Sequence, residues 1–188
     1  FWGYSLCSSL SVGAFYIYIT GIVLIGVAVF DLRPTTVGMT VGAIAVGFSL
    51  GSFMSGRLAK SVPLWQLIMG GRVVGLTGLC VGFAIVLAGF VQPVTYVGAV
   101  ILVGMGNGLT LPSTNSGAMS VRPKLAGSAS GLSGAMSVAM GAALTSLTGA
   151  VLTPENGAVL MMTMMVAVVV ASLLCALYVR WLDIVEPL

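Results

Sequence analysis

The chain has 188 residues, of which 59% are hydrophobic and 6% charged, with a mean hydropathy of +1.16. Soluble domains carry about 25% charged residues, so a water-facing globule is excluded. The net charge of +3 comes from scattered Lys and Arg without interleaved aromatics, which argues against nucleic acid as a partner.

Six apolar stretches follow one another at about 3–30, 36–56, 64–90, 93–119, 126–152 and 157–181. Each reaches the roughly 20 residues that cross about 30 Å of hydrocarbon. Lipid offers backbone amides no water, so each stretch is predicted to be helical. No ten-residue segment alternates with period two, which argues against a barrel. The predicted class is an all-α membrane protein with six spans in a single domain over 1–188.

The joints are short and polar. Asp31–Leu32–Arg33–Pro34 ends the first span. Arg57, Lys60 and Pro63 divide the second from the third, and Gln92–Pro93 forms a tight turn before the fourth. Arg122–Pro123–Lys124 precedes the fifth span and Thr153–Pro154–Glu155–Asn156 the sixth, with Thr153 or Asn156 as a helix cap. The chain starts at Phe1 and runs directly into a span, with no cleavage site after it, as expected of a piece of a longer polypeptide. With both termini cytoplasmic, Arg57, Lys60, Arg122, Lys124 and Arg180 lie at cytoplasmic ends, Arg72 snorkels the same way, and only Arg33 faces out.

Small residues repeat every four positions in the fifth span: Ala126, Ser130, Gly134, Ala142, Ser146 and Ala150, beside Gly127, Gly131, Ala135, Ala139 and Ala143. Small side chains let helices approach closely. The rows suit either a contact within the bundle or one against a partner domain. The second span carries a similar row at Gly42, Val46 or Gly47, Gly51 and Ser55.

Chemistry-bearing residues are few. Asp31, Glu155, Asp183 and Glu186 all fall outside the middle of a span, and no histidine is present. Cys7, Cys80 and Cys175 lie in apolar stretches with neither disulfide nor metal spacing. No cofactor or metal is expected. Gly131–Leu132–Ser133–Gly134 resembles the nucleophile motif of rhomboid proteases, but a serine nucleophile needs an adjacent base. An enzyme is therefore not expected. Neutral polar residues do share helical faces: Ser5, Ser9, Gly13, Tyr16 and Thr20 in the first span, and Asn107, Thr110 and Thr114 in the fourth. They either bond neighbouring helices or line a wet cavity. Pro112 follows Gly104, Gly106 and Gly108, which predicts a kinked or locally unwound fourth helix of the kind that marks transporter sites.

Gly106–Asn107–Gly108–Leu109–Thr110–Leu111–Pro112, with the run from Arg122 through Gly127 and Gly131 to Gly134, resembles spans ten and eleven of major facilitator superfamily drug:proton antiporters. The likeness is to the bicyclomycin/chloramphenicol-resistance (Bcr/CflA) subfamily, and Phe1–Trp2–Gly3–Tyr4–Ser5–Leu6 is similar to its seventh span. Gly56–Arg57–Leu58–Ala59–Lys60 is similar to a decayed copy of the superfamily's cytoplasmic loop motif, with Lys60 where the acid stands.

The resemblance implies the C-terminal six of twelve spans, in a bacterial inner membrane, exporting small amphipathic organic compounds by proton antiport with alternating access. It implies an N-terminal six-helix half as partner, carrying the proton-titrating acid. It makes Ser9, Tyr16, Thr20, Met105, Asn107 and Thr110 cavity residues, and Gly47, Gly51, Gly127, Gly131 and Gly134 the packing surface between halves. The third and sixth spans are expected outside, so the methionines at 161, 162, 164 and 165 are expected against lipid. The alternative is a non-transporting six-span module or small channel packed against a partner.

Overall fold

A computed structural model describes residues 1–28, 31–90, 92–121 and 123–185. All six expected helices are present: α1 (Trp2–Ala28), α2 (Pro34–Leu58), α3 (Leu64–Leu87), α4 (Pro93–Ser120), α5 (Ala126–Val151) and α6 (Gly157–Val185). A short 3-10 turn at Pro123–Leu125 leads into α5, and no strand occurs among the described residues. Each of the six is long and apolar enough to cross a membrane, which makes this a multi-pass membrane protein.

The boundaries have local causes. Pro34 and Pro93 open α2 and α4, where a missing N–H costs nothing. Helix α3 stops three residues before its apolar run does, because Gly89 adopts a left-handed φ of 88°. Phe90 N then bonds Ile85 O at 3.2 Å and Gly89 N bonds Val86 O at 3.1 Å, a Schellman closure. Between α5 and α6, Thr153 N donates to Asn156 Oδ1 at 2.9 Å and Asn156 N to Thr153 Oγ1 at 3.4 Å.

The packing follows one rule twice. Helix α4 lies between α2 and α3, and α1 lies between α5 and α6, so the first helix of each three-helix unit inserts into the other unit. Two further pairs fit the same correspondence: α1 meets α4, and α3 meets α6. Three crossings separate the units, so the second runs through the bundle in the opposite sense to the first. This is the pattern of a repeat with inverted topology.

Helix α4 packs by bare backbone. Gly104 and Gly108 abut the Ile44 and Phe48 carbonyls of α2, and Gly106 abuts the Gly71 carbonyl of α3. Gly47 and Gly51 answer from α2 against the Ile101 and Met105 carbonyls. The structure therefore corrects the expectation that Gly47 and Gly51 face a sister half: both are buried against α4. Met105 contributes its backbone to this crossing.

The glycine run also does not unwind the helix. Helix α4 is continuous through Pro112, which is exposed. Proline leaves the carbonyl four residues earlier without its helical donor. That carbonyl belongs to Gly108, and Ser52 Oγ of α2 reaches it at 3.5 Å.

Helix α5 behaves differently. Its buried residues are Ser133, Gly141 and Thr148, on the side facing α1. The small-residue rows point away: Gly127, Gly131 and Gly134 are exposed, and a Cβ built on any of them meets open space. These rows are not a contact within the bundle. In α6, Met161, Met162 and Met165 are fully buried and only Met164 is partly exposed, which corrects the expected lipid-facing position. Met161 fills the space over Gly21 of α1.

Neighbouring glycines of α3 give a direct check of backbone packing. A Cβ at Gly71 would lie 2.5 Å from the Gly106 carbonyl oxygen, whereas Gly70 faces open space. Gly71→Ala should destabilise the bundle by about 1–3 kcal/mol through overpacking. Gly70→Ala should be neutral, or stabilising by up to about 1 kcal/mol from helix propensity. Equilibrium unfolding in mixed micelles measures both, and equal effects would contradict the α3–α4 contact.

Candidate functional site

The centre of the bundle holds a charge. Arg72 lies eight residues into α3, about 12 Å along the axis. It is 1% exposed. It does not snorkel, contrary to expectation, because it falls on the inward face of α3 with Ile68, Gly75 and Leu79. Its guanidinium is spent on neutral partners: Nε donates to Thr110 Oγ1 at 3.0 Å, Nη2 to Asn107 Oδ1 at 2.8 Å, and Nη1 to Ser172 Oγ at 3.4 Å. The Ser172 hydroxyl in turn donates to Cys7 O at 2.9 Å, and Ser11 Oγ lies 3.0 Å from it. Residues of α1, α3, α4 and α6 thus meet at one cation.

None of the four acidic residues lies within an apolar span, and among the described residues no carboxylate pairs with Arg72. An uncompensated charge inside a bilayer protein costs roughly 2.5–3.5 kcal/mol on insertion scales. Several charge-assisted hydrogen bonds, each contributing about 1.5–3 kcal/mol, offset that cost.

Asn107 connects this network to a groove. It stands near the middle of α4 and is 5% exposed. Its Nδ2 donates to Ser11 O of α1 at 3.0 Å while its Oδ1 accepts from Arg72. Both bonds select the same amide orientation, since a flipped amide would point a donor at the guanidinium. On the other side of Asn107 a groove of about 450 Å³ opens between α1, α2 and α4. Val12 and Phe15 come from α1, Val41, Gly42, Ile44, Ala45 and Phe48 from α2, and Leu111 joins Asn107 from α4. Among the described residues, Asn107 is the one polar side chain in that wall. Gly42 leaves the groove open, for a Cβ there meets nothing within 4 Å.

The expected cavity residues divide. Asn107 lines the groove. Thr110 is fully buried on the Arg72 side, where its hydroxyl also lies 3.4 Å from Ile68 O. Ser9 is fully buried between α1 and α5, donating to Ser5 O at 2.8 Å with Ser137 Oγ at 3.2 Å. Tyr16 packs its ring on Gly141 of α5 and edge-on to Phe15. The half-buried Thr20 donates to Tyr16 O at 2.9 Å, within its own helix. The first-span stripe therefore faces α5 and not the groove, and Val12 and Phe15 occupy the wall instead.

Of the loop cations, Arg57 lies over the Phe53 ring at 4.4 Å, Lys60 and Lys124 are exposed, and Arg122 lies outside the described residues. Arg180 of α6 stacks on Trp65 of α3 at 3.7 Å, which joins the same end of the bundle. Arg72 is the residue of this buried network that charge patterning placed wrongly. Its signal was present: it shares a face with Gly71, Gly75 and Gly78, and a helix face made of glycines is one that another helix covers.

No protein-family model, no curated protein and no solved structure matches this chain.

Removing one partner of a buried charge-assisted bond costs more than removing both. Asn107→Leu should destabilise the bundle by about 2–3 kcal/mol, because it strands the guanidinium. Combining it with Arg72→Met should recover part of that loss, with a coupling of about 1–3 kcal/mol. A double-mutant cycle read by unfolding in micelles checks this, and additive effects would remove the assigned bond.

Proposed function

We propose that this chain is a transport half-bundle of the major facilitator kind, which exports small amphipathic compounds by proton antiport through alternating access. The observation that carries the reading is the interchange of α1 and α4 between two oppositely running three-helix units. Secondary transporters are built from such repeats, with substrate near the bilayer midplane at their interface. The groove fits that placement. Its polar wall residue, Asn107, stands about 20 Å from either end of α4.

Two further features support a partner half. Helix α5 presents its glycine and alanine rows outward with nothing against them. No acidic residue falls within a described apolar span, so the titrating acid of an antiporter would come from the other half. In this reading the membrane is a bacterial inner membrane. Both termini are cytoplasmic, at the end where Arg57, Lys60, Lys124 and Arg180 collect.

Blocking the groove without disturbing the bundle tests the proposal. The complete gene, expressed in an efflux-deficient host, should lower susceptibility to amphipathic antibiotics. Gly42→Leu places a side chain in open groove space. It should return susceptibility to that of the empty vector while protein remains in the membrane at wild-type amount. Unchanged resistance with Gly42→Leu would remove the groove from the transport path.

A further inference from the structure

The transport reading leaves the charge of the cargo open, and the buried guanidinium bears on it. The groove wall is apolar except at Asn107. The Asn107 carbonyl is held by Arg72 Nη2 at 2.8 Å, so one hydrogen bond separates a full positive charge from the groove. Arginine keeps that charge at any physiological pH. Neither Asp nor Glu lies in a span to cancel it. The orientation of the amide adds to the effect. With Oδ1 turned to Arg72 and one Nδ2 proton given to Ser11 O, the remaining capacity of the nitrogen is a second N–H. The Arg72 charge therefore gives the groove a positive potential at Asn107, inside apolar walls of low dielectric that screen it little.

We propose that the groove selects amphiphiles with an anionic end, such as a carboxylate or sulfonate on an apolar body, and rejects lipophilic cations of the same size. This rests on the groove being the ligand site, as the transport reading has it. Arg72 acts here as a positioning and charge-setting residue, since at 1% exposure it does not itself reach the ligand. The occupant is a free amphiphile and not an anionic lipid. Lipid headgroups stay at the interface, and Asn107 is about 20 Å along α4 from either end.

The test compares decanoate with decyltrimethylammonium, matched in chain length and opposite in charge. Both are titrated calorimetrically into the complete protein in phosphatidylcholine nanodiscs, with protein-free discs as blank. Decanoate should bind on the order of tenfold tighter, or more, from the charge alone. Gly42→Leu should abolish the protein-specific decanoate signal, and a signal that survives it would place the anion elsewhere and overturn the proposal.

Asn107→Asp keeps the shape and pairs Arg72 with a carboxylate, so it should erase or reverse the preference. Equal affinities in the wild type, or a preference untouched by Asn107→Asp, would overturn the assignment. Competition by added phosphatidylglycerol would overturn it too, in favour of a lipid site. Antibiotic efflux in cells reads out separately. Loss of efflux function with the anion preference intact would sink the transport reading alone, and efflux without the preference would sink this inference alone.

Discussion

One buried cation organises the middle of this bundle. Arg72 is reached from α1 through Ser11 and Asn107, from α4 through Asn107 and Thr110, and from α6 through Ser172. A guanidinium has five donors in a fixed plane, so its neighbours must come to it at set angles. Apolar packing in lipid is weakly directional, because tails and side chains are alike. The charge supplies the direction that the hydrocarbon lacks: any rotation of α3 that breaks these bonds strands a charge in a medium without water.

Around that centre the two units use different means for equivalent jobs. Helix α4 inserts between its neighbours by backbone contact, through Gly104, Gly106 and Gly108. Helix α1 inserts by side chains filling glycine notches, with Leu144 over Gly13, Met161 over Gly21 and the Tyr16 ring over Gly141. The first is a rigid crossing, for carbonyls have no rotamers to yield. The second is deformable, because leucine, methionine and tyrosine side chains can repack. The groove lies along the rigid side, against α2 and α4, and α1 closes it from the deformable side.

Helix number, type and approximate ends were legible in the sequence because they depend on hydropathy and on prolines at 34 and 93. Gly89 ended α3 early through backbone conformation, which hydropathy does not register. Facing was harder to read. The stripe Ser9–Tyr16–Thr20 was polar by composition, yet the Ser9 and Thr20 hydroxyls bond the carbonyl four residues back and ask nothing of a cavity. Asn107 has no such local partner; it bonds across helices and lines the groove. Arg72 was misassigned because a residue near a span end can either reach out or turn in. Only the glycine face beside it, which another helix must cover, decides between them. The second-span glycines were recognised as a contact surface, but a periodic row does not say which neighbour it meets.

The hydroxyl of Ser52 at the Gly108 carbonyl has a mechanical consequence. Proline usually loosens a helix by orphaning one acceptor, and the looseness belongs to that helix alone. Here the orphan is tended by an adjoining rod, in a solvent that offers no substitute donor. Prising α2 from α4 would strand it, which adds a further cost to parting two helices already joined by glycine–carbonyl contacts.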